Sequence, residues 1–268
     1  MTAASATPAA MPRVALTVEY DGTAYCGWQA QAHSPSVQHT LEHALAQVAA
    51  GPVRVHVAGR TDTGVHATAQ VVHFDPPASR PTRAWVLGTN AHLPPDVRVR
   101  TAQEVPADFH ARFSAGARVY RYLLLTRTQA AALARNRAWQ VGALDVPAMT
   151  QAGAALIGEH DFSAFRGAGC QSRTPMREVQ RLDIGWRADW TWVQVQANAF
   201  LLHMVRNIVG MLVAVGRGEL PASAAGALLA GRDRRAAPAT APPHGLYLVG
   251  VHYPARYGLV APDPDEVP

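Results

Sequence analysis

The sequence predicts an α+β fold of two similar halves that share one continuous sheet and leave a cleft between them. Three observations carry this. Segments with the period of two that marks half-buried strands alternate with segments of helical period, in the first half of the chain and again in the second. The stretch 106–116, where one half gives way to the other, has no linker composition, so nothing separates the two into independent units. At 268 residues and 49% apolar, the chain has the side chains for a sizeable shared core.

Within the first half, 12–111, Val14, Leu16, Val18 and Tyr20 alternate with Ala15, Thr17 and Glu19 up to an Asp21-Gly22 turn, the pattern of an opening strand. Ser36 is a candidate N-cap for a helix whose apolar stripe is Val37, Leu41, Leu45 and Val48, stopped by Gly51-Pro52. Val53, Val55 and Val57 then alternate with Arg54 and His56, a second strand. Residues 70–74 read as a third, closed by Asp75-Pro76-Pro77. A short helix is expected over 82–90, before Leu93-Pro94-Pro95, and a strand over 97–101.

The second half, 112–254, repeats this logic more loosely. It offers a strand at 118–126, a helix at 147–157 behind Asp145, strands at 179–184 and 192–197, and a long helix at 202–215. An alanine-rich helical stretch at 223–230, the cluster Arg232, Arg234 and Arg235, and a last strand at 246–251 complete it. Residues 1–11 lack the basic start and apolar core of a signal peptide and read as a disordered tail. Residues 255–268, ending PDPDEVP, read as a disordered acidic tail. Nowhere do about 18 uninterrupted apolar residues suggest a membrane span.

Composition narrows the chemistry. All 24 basic residues are arginine, so mechanisms that need a lysine amine, whether a Schiff base, a P-loop or a kinase site, are excluded. Arginine's planar fork grips phosphates bidentately and stacks on rings. With a net charge of +5 and a pI near 9.7, the chain favours a polyanionic partner. Arginines are interleaved with aromatics in Phe109, Arg112, Phe113, then Arg118, Tyr120, Arg121, Tyr122, and later Phe162, Phe165, Arg166. That mixture suits single-stranded or unstacked RNA, although aromatics in strands also serve as core. Cys26 and Cys170 are too few for a disulfide framework or a zinc cluster and fit a reducing cytoplasm. His56, His66 and His73 show no metal-ligand spacing and read as surface or core histidines.

Two segments carry candidate chemistry. In AGRTDTGVHATAQVVHF, 58–74, Asp62 lies just past a strand end, two residues after Arg60 and between Gly59 and Gly64. Glycines there let a substrate approach the backbone closely, so Asp62 reads as a mounted catalytic carboxylate; an Asp in a polar turn is the alternative. In the long helix, Met204, Val205, Ile208, Val209, Met211, Leu212 and Val215 make nearly every face apolar, yet Arg206 sits among them. Helical spacing aligns His203, Arg206 and Gly210, so the guanidinium is expected to emerge where Gly210 leaves room. An unpaired buried charge is too costly to keep. Arg206 therefore meets a carboxylate, phosphate or water: Asp62 across the cleft is one candidate, a purely structural ion pair the other.

These residues match a known pattern. GRTDTGVH with QVVHF, DFHARFSA, RVYRYLL, CQSRTP, and AFLLHMVRNIVG with GLYLVGV occur in order over roughly 13–254, and together they resemble TruA-type tRNA pseudouridine synthases. The family usually has alanine after its catalytic aspartate; here Thr63 adds a hydroxyl and a β-branch. The resemblance implies a mixed, largely antiparallel central sheet with helices on one side, a positively charged cleft between the halves, and a homodimer that cradles tRNA. It implies conversion of uridines 38, 39 and 40 in the anticodon arm to pseudouridine, without cofactor or metal. Carried over to this chain, Asp62 is the nucleophile, Tyr120 the substrate-contacting tyrosine, Arg60 holds the flipped nucleotide's place, and Arg206 pairs with Asp62. Arg112, Arg173 and His203 join Tyr120 and Arg60 as implied substrate-binding residues.

The chemistry is consistent with one carboxylate. Asp62 attacks C6 of the base or C1′ of the ribose, or assists glycal formation, and must carry its charge to do so, which gives Arg206 a role. Tyr120 could stack on the uracil and accept or relay the C5 proton; a core tyrosine is the alternative. Two other classes remain open. One is a catalytically silent RNA-binding protein. The other is an Asp-dependent nucleoside hydrolase, which needs a second carboxylate; Glu19 and Asp21 are the near candidates, and ordinary solvation accounts for them.

Overall fold

The computed structural model describes residues 12–262; the tail expected at 1–11 and the end of the acidic tail lie outside it. Ten strands form one sheet. They are β1 (Arg13–Tyr20), β2 (His56–Val57), β3 (His66–Phe74), β4 (Val97–Val105), β5 (Ala117–Leu125), β6 (Trp139–Gln140), β7 (Gly158–Asp161), β8 (Met176–Arg187), β9 (Trp190–Ala197) and β10 (Leu246–His252). The helices are α1 (Val37–Ala49), α2 (Thr82–His92), α3 (Val146–Ala154), α4 (Met204–Gly216) and α5 (Ala224–Gly231). Strand order is β4-β1-β3-β10-β5-β9-β8-β7, with β2 on β3 and β6 on β5.

Pairing is antiparallel except between β10 and β3 and between β5 and β6. The sheet is therefore mixed and mostly antiparallel, as expected. Its joint is informative: β10, the last strand of the chain, lies between β3 of the first half and β5 of the second. The two halves are thus stitched by a segment more than a hundred residues from either neighbour in sequence. Beside the joint, β10 carries a bulge, Leu248 facing Tyr120 while Gly250 faces Val119. Bulges of this kind re-aim side chains, and this one adjoins Tyr120.

All five helices and one face of the sheet share a single core. It includes Leu41 of α1, Trp85 of α2, Met149 of α3, Ile208 of α4, Leu228 of α5, and Tyr120, Tyr122 and Leu124 of β5. The opposite face of β5 and β10, with Val119, Leu123, Leu125, Tyr247 and Val249, is covered instead by Ala131, Ala134 and Ala138 of the loop after β5. Caps fall where the sequence puts them. Ser36 accepts from the His39 amide, Asp145 accepts from that of Ala148, and the turn after α1 closes on Ala50 in the left-handed region.

Differences from expectation have local causes. Burial alternates over 53–57 as predicted, but only His56 and Val57 join the ladder, because the Val55 amide donates to Glu42 Oε1 (3.0 Å) instead. The edge strand β7 reads GEHD and offers no apolar period to detect. Residues 255–257, expected to open the disordered tail, form a 3-10 turn that buries Tyr257, whose carbonyl accepts from Gln103 Nε2 (2.9 Å).

Candidate active site

A cleft of about 930 Å³ opens on the helical side of the sheet. The first half supplies its 54–62 segment and the start of α1, the second half supplies β5, the 169–172 loop and the start of α4, and the 110–113 turn lies where the two meet. Six arginines line it, Arg54, Arg60, Arg112, Arg118, Arg177 and Arg206. Among the described residues, Asp62 is the only carboxylate in its wall.

The Asp62 loop is held by its backbone and its neighbours. The Ala58 amide donates to Val71 O (2.9 Å), Gln70 Nε2 donates to Gly59 O (2.7 Å), and the Trp28 amide donates to Thr61 O (3.0 Å). Thr61 Oγ1 meets Tyr20 OH at 2.8 Å. That phenol is pushed up to about 12 by burial, against the hydrogen bonds of Thr61 and Gln70, and stays a neutral donor. Two glycines are required. Gly64 has φ +74, and Gly27, at φ +89, packs so close that a Cβ would sit 2.7 Å from Thr61 O. Asp62, 27% exposed, is thus presented to the cleft from a loop fastened on both sides.

Across the cleft, α4 is buried on nearly every face, and Arg206 is its exception. Nη1 donates to Asp62 Oδ2 at 3.1 Å, and Nε donates to Ala241 O at 2.8 Å. The alignment of Arg206 with Gly210 has a different purpose from the one expected. A Cβ at Gly210 would lie 2.2 Å from Ala239 O, so the space is filled by the 239–241 backbone rather than by the guanidinium. That backbone in turn fixes Arg206, since the Ala241 amide also donates to Arg206 O (3.1 Å). His203, at the start of α4 with φ 59, brings Nε2 to 3.5 Å from the same Oδ2. Gly167 permits this, because a Cβ there would meet His203 Nδ1 at 2.9 Å. A non-glycine residue at positive φ beside a carboxylate is the kind of strain that clusters at functional sites.

Tyr120 is buried, its ring edge-on to Phe200 at 5.1 Å, and its hydroxyl lies beneath Gly59, 3.7 Å from where a Cβ would stand. Burial holds this phenol well above the usual tyrosine range, and Tyr20 and Asp62 push it the same way. It is a protonated group, able to donate or relay a proton but not a ready-made base. Arg60 and Arg112 are exposed on the cleft wall. Arg173 is exposed on the loop whose Gln171 and Ser172 line the cleft, without lining it itself.

The interleaved arginines and aromatics need correcting. Phe109, Phe162 and Phe165 are fully buried, and Tyr122 is core with its hydroxyl donating to Pro242 O. Arg118 is spent on carbonyls: Nη1 donates to Ala115 O and Asn198 O, Nη2 to Ala58 O and Arg112 O. Arg166 likewise donates to Cys170 O and Ser172 O. These arginines shape the cleft and do not grip phosphate. The Tyr20, Thr61 and Gln70 network escaped the sequence reading, since its members are 41 and 50 residues apart and meet only through the sheet.

The geometry defines a class: a protein with one carboxylate, paired with an arginine, in an arginine-walled cleft suited to a polyanion. Among the described residues no second carboxylate lines the cleft to serve as a hydrolase's acid, and no group of His, Cys, Asp and Glu could hold a metal ion. Among the described residues, no helix is long and apolar enough to cross a membrane. Comparison with known proteins agrees with that class. A sequence profile described as tRNA pseudouridine synthase matches residues 16–114 and 152–254. The chain is 53% identical to tRNA pseudouridine synthase A of Chromobacterium violaceum over 249 residues, 92% of this chain and 95% of that protein. It is 50% identical to the protein of that name in Paraburkholderia phymatum, over 96% of this chain and 97% of the relative. With that of Neisseria gonorrhoeae the identity is 51%, over 93% and 95%. The chain belongs to the tRNA pseudouridine synthase family, whose members isomerise uridine in tRNA to pseudouridine.

Proposed function

We propose that this protein converts uridines 38, 39 and 40 of the tRNA anticodon arm to pseudouridine, with Asp62 as its nucleophile. The observation that carries this reading is the pairing of Asp62, the one carboxylate lining the cleft among the described residues, with Arg206 at 3.1 Å. A stacked uridine hides its reacting atoms, so the nucleotide must first be extruded, at a cost of a few kcal/mol offset by stacking and phosphate contacts. Exposed Arg60 is the residue we assign to the vacated place, with Arg112 on the flanking phosphates. Arg206 donates to Oδ2 and His203 Nε2 lies 3.5 Å from the same oxygen, so Oδ1 is the oxygen we assign to attack, on C6 or C1′. The N1–C1′ bond breaks, the uracil turns, C5 bonds to C1′, the Oδ1–carbon bond breaks to restore the carboxylate, and the proton on C5 leaves as N1 gains one. Tyr120, kept neutral by burial, is placed in this reading against the uracil face as a proton relay.

Other parts of the reading follow from the same likeness. A homodimer that cradles tRNA is tested by sedimentation with and without the RNA. The cytoplasm is the compartment we propose, supported by the free thiols of Cys26 and Cys170. The deciding experiment is tritium release from tRNA labelled at uracil C5, wild type against Asp62→Ala, with a check for free uracil. Release without free base, lost in the variant, is expected. Binding without release would point to a silent RNA-binding protein, and free uracil to a hydrolase.

A further inference from the structure

We propose that Phe113, backed by His110 and flanked by Arg112, is a stacking platform for an unpaired nucleobase of the RNA substrate, a subsite distinct from the pocket around Asp62. The proposal rests on the reading above that RNA occupies this cleft. Its starting point is a contrast within one short segment. Phe109 is fully buried among His73, Tyr253 and Tyr257, whereas Phe113, four residues on, is 76% exposed. It is one of the few large apolar side chains so exposed, and it stands on the wall of the catalytic cleft.

The ring is not loose. Its centroid lies 4.4 Å from that of His110 at an interplanar angle of 34°, and the Arg112 guanidinium carbon lies 5.6 Å from it. His110 is itself anchored edge-on to buried His73 (4.6 Å) and tilted against His56 (5.4 Å). Nδ1 of His110 accepts from the amides of Arg112 and Phe113, and the His110 amide donates to Ser114 Oγ (2.9 Å). Arg118 closes the turn from outside through Arg112 O. A tight turn thus holds one aromatic face toward the cleft, with its backing rings already in position. Burial and the charges of His56, Arg13 and Arg112 lower the His110 pKa, so the backing ring is neutral.

The rim decides the kind of ligand. A single ring bordered by Arg112, with Arg54 and Arg60 on the same wall, suits a planar base whose flanking phosphates are anionic. It does not suit an apolar protein surface, which needs a contiguous patch. Base–aromatic stacking tolerates any base, so the platform contributes affinity and positioning rather than sequence choice.

The test compares Phe113→Ala, Phe113→Leu and Phe113→Trp by tritium release from tRNA and by direct tRNA binding. We expect Phe113→Ala to raise KM and Kd by roughly 5- to 100-fold with kcat within about twofold, the range of one lost base stack. Phe113→Trp should recover wild-type binding and Phe113→Leu should not. A 2-aminopurine beside the target uridine should be quenched on binding wild type and not on binding Phe113→Ala. Because the ring is exposed, thermal unfolding should be unchanged in all three variants. Unaltered KM and quenching in Phe113→Ala, in an enzyme that still releases tritium, would overturn the platform alone; so would Phe113→Leu performing as well as Phe113→Trp. A wild type that neither binds tRNA nor reacts with it would overturn the functional reading and the platform together.

Discussion

The two walls of the cleft hold their charged groups by opposite means. Asp62 stands on a loop whose order comes from hydrogen bonds to its backbone, through Gln70, Trp28 and Val71, and from the side-chain bond of Thr61 to Tyr20. Arg206 stands on a helix whose order comes from burial on almost every face, and its guanidinium is the one charged group of that helix, held by Asp62 and Ala241 O. A loop held in this way tolerates loss of its side chain, since none of those bonds involves the carboxylate. A buried helix does not, because removing Arg206 opens an apolar seam and strands a carboxylate. Loss of Asp62 therefore leaves its loop bonded and costs only the pairing with Arg206, whereas loss of Arg206 also empties a place in the buried helix.

The largest effect expected from this contrast is on rate. Asp62→Ala should lower tritium release by more than about 1,000-fold, as loss of a covalent nucleophile does, while tRNA affinity stays near wild type and the melting temperature falls less than in Arg206→Ala, because Arg206 keeps Ala241 O. A variant that fails to fold would show that the loop depends on its carboxylate after all. Arg206→Ala comes next, with activity down on the order of 100-fold and stability down by about 2 kcal/mol. That figure is below the range for fully buried pairs because Asp62 is 27% exposed. Adding Asp62→Ala to Arg206→Ala should restore part of the stability, since no unpaired carboxylate remains. Strictly additive losses would sink the pairing.

Gly210→Ala perturbs the helical wall without touching a charge. A Cβ 2.2 Å from Ala239 O must displace the 239–241 backbone, which carries the acceptor for Arg206 Nε. A cost of about 1–3 kcal/mol is expected, read as a fall of several degrees in melting temperature for a chain of this size, with activity reduced about tenfold as Arg206 loses its seat. A fully active, fully stable variant would show that this segment does not position Arg206.

Legibility in the sequence followed the same division. The loop carboxylate and the helix arginine stood out because each broke a local rule: an acid between glycines at a strand end, and a charge inside an apolar helix. Ser36 and Asp145 were readable as caps because capping is local chemistry. What could not be read was tertiary. Phe109 and Phe113 share one motif, and nothing in its composition says that the first enters the core while the second faces the cleft. Arg118 and Arg166 read as phosphate grips, yet Arg118 closes onto carbonyls brought from Ala58 and Asn198, and Arg166 onto those of Cys170 and Ser172 in its own loop. The order β3-β10-β5 was beyond reach for the same reason, because a strand from the end of the chain supplies the joint. His203 sits near Asp62 through a left-handed backbone that helical periodicity does not anticipate.

The smallest expected effect is in the loop-bearing half and concerns pH. His73 of β3 is buried, its Nδ1 accepts from the Ala111 amide at 3.0 Å, and its neighbours His110, Arg13 and His56 are cationic or can become so. Burial first, and those charges second, push it down to about 3. In the unfolded chain it titrates near its ordinary value of about 6.5. Between those values the unfolded state binds a proton that the folded state refuses, so stability is full above pH 6.5 and falls as the pH is lowered toward 3. His66, His110 and His244 are lowered as well and add to the slope in the same direction. His73→Gln keeps an acceptor for the Ala111 amide and removes the titration. Its melting temperature should therefore decline less than that of the wild type between pH 6.5 and 4.5. Parallel declines in the two proteins would show that the His73 site admits a proton in the folded state, and that the acid sensitivity of this half lies elsewhere.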